Sequence, residues 1–552
     1  MIEALRALKP EGLKAFTEDL KSAVLERVED KIAHLESSMA VAELTVAVHY
    51  VLNTPEDILI WDVGHQGYFH KAITGRLEEL RNMRKPGGIS GFLKRSESPF
   101  DFFGAGHAST SISALSGVCA ADKLSNRARH RVAIIGDGSL TGGQSFEALN
   151  FIGAQAYDAV VIINDNEGSI DATVGALHEH QSYKGYVESL GWSYTFLEEG
   201  NDVEKAVEVF NKVLRGSGPR VLHVKTTRPD LSHEKSYKPG TTFQWYAAEA
   251  LRDVLTKYWD LQLISPAMFA GSGFAPLKYA FEDQMIDTGI NEAHAVTMAA
   301  GIAATGGRPW VHIYSTFLQR AYDQVVHDIV LQKLPVVFLV DRAGVVGADG
   351  STHHGFYDSG FLSDLPGVIV WNPMDGTELQ SMIREAADMV LTGPLFIRYP
   401  KSTTVCGKAE PFEAWRWLQK SQMTKGKTDE EEEGYVGYDL PGLGADLEGV
   451  LFVTTGELSS YWKNHPVGDH IHLAQIHPIP EDALKEMLGK KLLVVMEETA
   501  GYGSIGGTIS MLVATSQMEK RFSTRVVVKR IPDRIVDHGD RSLLLKELGL
   551  IP

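Results

Sequence analysis

Two short polar motifs each stand at the end of an apolar run that is typical of a buried strand. Gly136-Asp137-Gly138 ends the run 131–138, and Asn164-Asp165-Asn166 ends the run 157–166. The intervening residues, 139–163, leave room for one helix and one strand. We therefore expect both motifs at the carboxyl edge of one parallel sheet, where open α/β sheets bind ligands. A carboxylate and an amide oxygen that meet there suit Mg²⁺, although the first motif alone is more often an ordinary turn.

The elements that would position these motifs recur along the whole chain. Short apolar runs alternate with segments that can form helices, which is the pattern of parallel α/β sheets. We predict an α/β protein of three domains, each with a mainly parallel sheet flanked by helices. The predicted bounds are 1–240, 241–412 and 449–552, with an acidic linker at 413–448. Its four consecutive glutamates, Glu430–Glu433, favour a solvated surface loop over a functional acidic tail.

Composition excludes several classes of protein. The net charge of −18 over 552 residues argues against a nucleic-acid partner, because phosphates require a basic surface. The two cysteines, Cys119 and Cys406, are too few and too distant for a disulfide framework, which favours a reducing compartment. The N-terminus lacks the pattern of a signal peptide, and no apolar run approaches the ~20 residues that span a bilayer. We expect a cytoplasmic protein with no membrane partner.

The paired motifs also carry a resemblance. Their spacing resembles the diphosphate-binding motif of thiamine-diphosphate enzymes, and four longer segments, 34–76, 104–113, 313–355 and 531–539, resemble the 1-deoxy-D-xylulose-5-phosphate synthase family. The resemblance covers nearly the whole chain in the family's order, and its motifs differ from those of transketolases and 2-oxo acid dehydrogenase components. It implies a transketolase-like fold and a transferase that uses thiamine diphosphate and Mg²⁺. The implied reaction joins pyruvate to D-glyceraldehyde 3-phosphate, giving 1-deoxy-D-xylulose 5-phosphate and CO₂. The family is homodimeric, and each site lies between the first two domains of one chain.

The resemblance assigns roles by matching position. The implied metal ligands are Asp137, Asn166 and the backbone carbonyl of Gly168. The implied cofactor contacts are His65, Gly106, His107, Ala108, Asp137, Gly138, Ser139, Asn166 and Glu292. The implied catalytic residues are Glu292, which would activate the cofactor, and His34, Asp349 and His353, which would line the substrate cavity. The implied substrate contacts are Tyr314, Arg320, Arg342 and Arg398, of which Arg342 and Arg398 would bind the aldehyde's phosphate.

Each assignment has a structural alternative. A glutamate at a helix start, such as Glu292, is often a cap or a partner of the helix dipole. Arg320 could pair with Asp323 one turn along a helix. A histidine is often only a packed, hydrogen-bonded residue. We predict that the remaining candidates, His178, His180 and His354, are surface residues.

The chain departs from the family's pattern in three places. A long insertion that is usual after the segment ending at Leu177 is replaced by the short stretch 178–186. The glycine-rich stretch after the strand is replaced by 226–240, where Tyr237 is a possible stand-in for a cofactor-side tyrosine, and Ala293 replaces a glutamine. These changes leave a carboligase with another aldehyde as an alternative. A non-catalytic paralogue acting as a binding partner would be expected to lack Asp137, Asn166 or Glu292, and all three are present.

Overall fold

The fold was obtained as a computed structural model, which describes residues 1–28, 34–166, 173–229, 240–404, 410–420, 449–463, 468–520 and 523–552. The chain divides into two compact units. The first comprises Met1–Lys235 with Asp287–Asn291 and Ala348–Thr352, and the second comprises Ser236–Ile286, Glu292–Gly347 and His353–Pro552. Within the described ranges, no helix is long and apolar enough to cross a membrane.

The first unit is built on a five-stranded sheet of order β1-β2-β3-β5-β4 in which every adjacent pair is parallel. Its strands are β1 (Ile58–Trp61), β2 (Arg131–Gly136), β3 (Ala159–Asp165), β4 (Ser193–Leu197) and β5 (Pro219–Lys225). Alternate residues of β3 contribute to different apolar clusters, Val160 and Ile162 to one and Val161 and Ile163 to the other. A strand that is buried on both faces in this way requires a continuous apolar run.

Helices pack around this sheet in the first unit. The α-helices are Ile2–Arg6, Leu13–Leu25, Leu35–Ala40, Ala42–Val51, Tyr68–Lys71, Ser111–Ser125, Asp137–Leu140, Gly143–Gln155, Ala176–Glu179, Tyr183–Ser189 and Val203–Leu214. The described residues of this unit also form short 3₁₀ turns at Pro10–Gly12, Glu78–Asn82 and Gly350–Thr352 and a π-helical turn at Ala72–Arg76. The helix Val203–Leu214 begins at Asp202, whose carboxylate accepts hydrogen bonds from the N–H groups of Glu204 and Lys205, satisfying donors that a helix start leaves unpaired.

The second unit contains two further sheets. Its strands are β6 (Leu261–Ser265), β7 (Met285–Asp287), β8 (Arg308–Tyr314), β9 (Val337–Asp341), β10 (Ile369–Trp371), β11 (Leu395–Tyr399), β12 (Trp415–Gln419), β13 (Val450–Thr454), β14 (Asp469–Leu473), β15 (Gln475–His477), β16 (Leu492–Met496) and β17 (Arg525–Lys529). The seven-stranded sheet has the order β15-β10-β11-β9-β8-β6-β7, and the five-stranded sheet has the order β12-β14-β13-β16-β17. Only β15 and β12 run antiparallel among the strand pairs described for these sheets.

Helices surround these sheets as well. The α-helices are Phe243–Lys257, Ala275–Ala280, Glu292–Ala304, Ser315–Leu318, Tyr322–Gln324, Asp358–Ser363, Gly376–Asp388, Glu457–Trp462, Glu481–Met487, Ile505–Lys520 and Arg541–Glu547. The remaining turns are 3₁₀ at Glu282–Gln284 and Gln319–Ala321 and π-helical at Val325–Val330. The prediction of mainly parallel sheets flanked by helices is therefore confirmed. The bounds of the three predicted domains stay a prediction.

Two strands of the second unit are exchanged between its sheets. Each one joins the sheet whose other strands lie, in sequence, on the opposite side of segment 421–448. β12 precedes that segment but pairs with β14, whereas β15 follows it and pairs antiparallel with β10. The N–H of Asn372 donates to the carbonyl of Ala474 at 2.7 Å, and the N–H of Gln475 donates to the carbonyl of Ala414 at 2.7 Å. The last part of the chain thus completes the seven-stranded sheet.

Candidate active site

The two polar motifs lie side by side at the carboxyl edge of the first sheet. β2 and β3 pair in parallel with Gly136 opposite Asn164, so Asp137 and Asp165 both stand at the strand ends, as the spacing predicts. Asp137 opens the short helix Asp137–Leu140 and is buried. Asn166 is half-buried at the same edge. Gly168, the third implied metal ligand, lies outside the described residues.

A cluster of possible metal ligands lies at this edge. One ligand atom from each of Asp137, Asp165 and His178 lies within 4.8 Å of the others. Burial raises the pKa of Asp137 to about 6, and repulsion from Asp165 adds to that effect, while a hydrogen bond from the Thr173 hydroxyl at 2.8 Å opposes it. Two buried carboxylates that repel each other would be stabilised by a cation. The donor set therefore fits a divalent ion.

Asp165 is oriented by a chain of hydrogen bonds. Its Oδ2 lies 3.0 Å from Nε2 of His223, and Nδ1 of that ring lies 2.7 Å from the Tyr194 hydroxyl. His223 is buried against the ring of Tyr183, with the ring centroids 4.7 Å apart. The carboxylate at the strand end is thus held in one orientation by residues from β4, β5 and the helix Tyr183–Ser189.

Asp62, which follows β1, orders the loop that carries the predicted cofactor contacts. Its carboxylate accepts hydrogen bonds from the backbone N–H groups of Ser109, at 2.8 Å, and Ser111, at 3.0 Å. The Ser109 hydroxyl in turn donates to the carbonyl of Ser139 at 2.7 Å. These bonds link the loop 104–111 to the start of the helix Asp137–Leu140. Ala108 and Ser139, which the resemblance assigns to the cofactor, are both buried there.

The predicted histidines of the first unit lie near this loop. The rings of His34 and His65 meet edge to face with their centroids 5.6 Å apart. Desolvation lowers the pKa of His65 to about 4, so this imidazole is neutral at pH 7. Its Nδ1 is buried and has no hydrogen-bond partner among the described residues. A 2.7 Å hydrogen bond from Nε2 of His107 to the carbonyl of Thr352 fixes the orientation of this ring.

Gly106 and Asp349 have structural constraints of their own. Gly106 adopts a φ of +145°, and a Cβ built there would lie 2.6 Å from the Thr352 side chain, so a larger residue would not fit. Asp349 forms an ion pair with Arg84 at 2.5 Å. Arg84 is buried and also lies over the ring of Phe92, with 5.2 Å between its Cζ and the ring centroid. Asp349 is thus anchored within the first unit.

Glu292 begins the helix Glu292–Ala304 in the second unit. The side chain is buried, and desolvation raises its pKa, while the cation of Arg320 opposes that rise. Nη1 of Arg320 lies 3.7 Å from Oε2 of Glu292. The structure therefore pairs Arg320 with Glu292. A buried carboxyl group with a raised pKa can hold or share a proton near neutral pH.

Two predicted site residues of the second unit, Tyr314 and His353, both pack on the ring of Phe317. The ring of Phe317 stacks on Tyr314 at a centroid distance of 5.5 Å and meets His353 edge to face at 5.6 Å. The guanidinium of Arg342 lies 3.9 Å from the centre of the Tyr314 ring. It also forms an ion pair with Asp341 and donates to the carbonyl of Gly271 at 2.6 Å. Phe317 was not singled out from the sequence.

Arg398 is the most deeply buried of the predicted phosphate ligands, with 2% of its side chain exposed. Its Nε and Nη2 donate to the two carboxylate oxygens of Asp358 at 3.0 and 2.9 Å. Asp358 is itself fully buried and begins the helix Asp358–Ser363. This bidentate ion pair is the structural alternative to phosphate binding. Its two residues are 40 positions apart in the chain.

The predictions for the three remaining histidines had different outcomes. His180 is exposed, as predicted. The prediction for His354 was wrong, because the ring is only 2% exposed and its Nδ1 accepts the N–H of Val346 at 3.0 Å. His178 is also not a surface residue, because its side chain is only 16% exposed and its Nδ1 lies 3.8 Å from Oδ2 of Asp137. No local pattern marks His178 in the sequence, because only the fold of the short stretch 178–186 brings it close to Asp137.

Comparison with known proteins places this site within a known class. A family model described as transketolase, pyrimidine binding domain, matches residues 241–405, and one described as 1-deoxy-D-xylulose-5-phosphate synthase matches residues 1–184. The chain is thus built like a transketolase-type transferase.

Full-length relatives narrow the class further. Proteins named 1-deoxy-D-xylulose-5-phosphate synthase from Dechloromonas aromatica and Caldanaerobacter subterraneus are 36% and 34% identical, and each alignment covers 99% of this chain and 95% of the relative. A third, from Neisseria gonorrhoeae, is 35% identical over 99% of this chain and 94% of its own length. Among solved structures, a transketolase from Leishmania mexicana aligns over 99% of this chain and 96% of its own, with 14% identity and a TM-score of 0.44. The chain belongs to the 1-deoxy-D-xylulose-5-phosphate synthase family.

Proposed function

We propose that this protein catalyses the thiamine-diphosphate- and Mg²⁺-dependent condensation of pyruvate with D-glyceraldehyde 3-phosphate, giving 1-deoxy-D-xylulose 5-phosphate and CO₂. The likeness to relatives of that name over 99% of the chain supports the reaction. The observation that carries the chemistry is the buried carboxyl group of Glu292 with its raised pKa. A product of this kind is a precursor for isoprenoids and for thiamine and pyridoxal cofactors.

The residues of this chain fit the cofactor. Thiamine diphosphate supplies a nucleophilic carbon and an electron sink for decarboxylation. Asp137 and Asn166 would hold the Mg²⁺ that neutralises the diphosphate. Nδ1 of His65, which has no hydrogen-bond partner within the described part of the chain, is a polar atom that a ligand can satisfy. Glu292 would exchange a proton with the aminopyrimidine ring, and His34, Asp349 and His353 would line the substrate cavity and stabilise developing charge.

The experiment that tests the proposal is a product analysis. The purified protein is incubated with pyruvate, thiamine diphosphate, Mg²⁺ and a panel of phosphorylated and unphosphorylated aldehydes, and the sugars are identified by mass spectrometry and NMR. We expect 1-deoxy-D-xylulose 5-phosphate as the main product. A different main product would favour the alternative carboligase, and no turnover by the cofactor-loaded protein would favour the non-catalytic paralogue.

Substitution of Glu292 tests the activating acid. Glu292→Gln should bind the cofactor but lose exchange of its C2 proton, followed by NMR after acid quenching. The matched control is Glu282→Gln, because Glu282 is exposed on the preceding 3₁₀ turn. Exchange that stays as fast as in the wild type would remove Glu292 from this role.

Recognition of the acceptor phosphate by Arg342 and Arg398 is part of the proposal. A guanidinium carries a permanent charge and binds phosphate with two donors. Replacing either with alanine should lower kcat/KM for D-glyceraldehyde 3-phosphate about ten- to a hundredfold and spare its unphosphorylated analogue. Arg384→Ala is the control, since it removes an exposed ion pair with Asp253. An equal loss of kcat/KM with both aldehydes would mean that these arginines stabilise the fold and do not bind the phosphate.

Assembly and location complete the proposal. We propose a homodimer that acts in the cytoplasm, in line with the family's assembly and with the low cysteine content of the chain. Sedimentation velocity on the purified protein checks the first part, because a dimer has twice the chain mass of 60.6 kDa. Fractionation of the source cells checks the second.

A further inference from the structure

We propose that His312 is a positioning residue for recognition of the acceptor's phosphate. His312 takes the place of Arg342 beside Asp341 when Arg342 turns to the phosphate, and the imidazole gains a proton from the solvent in the same step. The inference rests on the proposed function, because it takes Arg342 as a phosphate ligand. All the residues that it uses belong to the second unit.

Three polar side chains lie on one face of the seven-stranded sheet, near its carboxyl edge. Ser265 ends β6, His312 lies close to the end of β8, and Asp341 ends β9. β8 pairs in parallel with β6 on one side and with β9 on the other. The residues two positions earlier in the three strands are apolar and belong to one core cluster: Leu263, Trp310 and Leu339. Because side chains two apart in a strand share a face, the three polar residues extend this cluster to the edge of the sheet.

The carboxylate of Asp341 accepts four hydrogen bonds. Its Oδ2 accepts from the Ser272 hydroxyl at 2.7 Å and from Nη1 of Arg342. Its Oδ1 accepts from Nε2 of Gln244 and from the backbone N–H of Arg342, each at 2.7 Å. These bonds use the four lone-pair sites that a carboxylate offers. Nε2 of His312 is therefore left 3.7 Å from Oδ2, which is too far for a hydrogen bond, and it is buried with no partner among the described residues.

The other nitrogen of His312 has a partner that serves both charge states of the ring. Nδ1 lies 3.0 Å from the Ser265 hydroxyl. A carboxylate can only accept, so the neutral ring is more stable with its hydrogen on Nε2, near Asp341, and with Nδ1 accepting from the hydroxyl. A second proton then binds at Nδ1, and the hydroxyl accepts where it had donated. The ring can thus become charged with no loss of this hydrogen bond.

The charges of Asp341 and Arg342 act on the His312 ring from β9 and from the residue that follows it. Burial lowers the pKa of His312, Asp341 opposes that effect, and the cation of Arg342 adds to it, so the ring is neutral at pH 7 while Arg342 stays in place. The other described contacts of the ring are with a hydroxyl and two aromatic rings, of which the tyrosine is the titratable one: Ser265, Phe274 and Tyr314. The position of Arg342 therefore controls the charge of His312.

Phosphate binding removes the competitor of His312. Nη1 of Arg342 donates to Asp341 and, at 3.1 Å, to the Ser272 hydroxyl. A phosphate dianion competes for such guanidinium donors, because its oxygens accept two of them at once. When Nη1 leaves, Oδ2 of Asp341 regains a lone pair in a buried site, where a carboxylate without a cation is costly. A shift of about 1 Å then brings Nε2 of His312 within hydrogen-bond distance, and the added proton restores the positive charge.

The coupling makes the affinity for phosphate depend on pH. The phosphate-bound state carries one proton more than the free state, so the affinity rises as pH falls through the interval between the lowered pKa of His312 in the free protein and its higher pKa in the complex. His312→Gln keeps a side chain that can bond to Ser265 but cannot take up the proton. This variant should therefore lose that part of the pH dependence.

The test counts the protons taken up. The protein, loaded with thiamine diphosphate and Mg²⁺, is titrated calorimetrically with sn-glycerol 3-phosphate, an unreactive phosphate ester. Each titration is repeated in buffers of different ionisation enthalpy and at several pH values around neutrality. The variants are His312→Gln and Ser265→Ala, and His327→Gln is the matched control because His327 is an exposed histidine of the same unit. The ester's own proton exchange is common to all of them, and circular dichroism checks folding.

We expect the wild type and His327→Gln to take up as much as about one proton per bound ester more than His312→Gln does. The affinity of His312→Gln for the ester should be about three- to tenfold lower, with an unchanged KM for pyruvate. Ser265→Ala leaves the added N–H without its acceptor and should lose part of the uptake, which decides the question if His312→Gln does not fold. A purely structural role of His312 would not change the number of protons.

Two results would contradict the inference in different ways. Equal proton uptake in the wild type and the His312 and Ser265 variants, with ester binding still lost in Arg342→Ala, would overturn it and leave the proposed function standing. Ester binding that survives unchanged in Arg342→Ala, or no binding to the wild type, would remove Arg342 from phosphate recognition and overturn both.

Discussion

The ion pair between Arg320 and Glu292 should control the titration of the activating carboxyl group. With 3.7 Å between the charged atoms, Coulomb's law at an effective dielectric constant of about 20 gives an attraction of about 4 kcal/mol. Arg320 is 22% exposed, and water screens its charge, so we expect a net effect of about 1–3 kcal/mol rather than the full value. Replacing Arg320 with methionine removes the opposing charge and should raise the pKa of Glu292 further.

The assay is the pH dependence of C2-proton exchange in the bound cofactor, which requires neither pyruvate nor aldehyde. The limb of the profile that reports Glu292 should move to higher pH in Arg320→Met, because the variant lacks the cation that favours the ionised carboxylate. Arg320→Lys keeps the positive charge and should stay near the wild type. Coincident profiles for Met and wild type would refute the electrostatic reasoning. A higher KM for the aldehyde with an unchanged exchange profile would instead assign Arg320 to acceptor binding.

Three further substitutions have defined outcomes. Asp137→Asn should abolish thiamine-diphosphate binding in calorimetry at ordinary Mg²⁺ levels. The pKa of Asp137 is raised to about 6 from 3.8, so the ionised carboxylate destabilises the metal-free fold. The free energy of unfolding of the variant should therefore exceed that of the wild type by about 1–3 kcal/mol above pH 6, and this difference should disappear below pH 4. Arg398→Ala should lower the free energy of unfolding in urea by about 3–5 kcal/mol, and adding Asp358→Leu should restore part of it; an unchanged midpoint would contradict the buried pair. Asp62→Ala should cost about 2–4 kcal/mol and expose the amides of Ser109 and Ser111 to hydrogen exchange; full protection would contradict its role.

The sequence predicts the strand-end site because the information there is local. An apolar run followed by a polar motif specifies both the strand and the edge where it ends, and the parallel pairing of β2 with β3 then brings Asp137 and Asp165 together. Glu292 was identified by resemblance, since its spacing alone equally suits a helix cap. The structure adds what makes it an acid, namely its burial and its partner Arg320.

Contacts between distant segments could not be predicted from the sequence. Nothing in the chain marks Asp358 as the partner of Arg398, or Thr352 as the neighbour that excludes a side chain at Gly106. His354 was predicted at the surface, yet its ring is buried and accepts a hydrogen bond from the backbone N–H of Val346. Such partners depend on how loops from different strands meet, and local residue patterns carry little of that information.

β12 and β15 each pair with a strand from the opposite side of segment 421–448. The parts of the chain before and after this segment are therefore already hydrogen-bonded to each other. The part of the chain before this segment contributes β12 to the five-stranded sheet, and the part after it contributes β15 to the seven-stranded sheet. A protease nick within this segment should therefore leave one particle under native conditions, and two fragments only in denaturant. The gene could likewise be divided at this point, because two separately translated polypeptides would complement each other by exchanging a strand each.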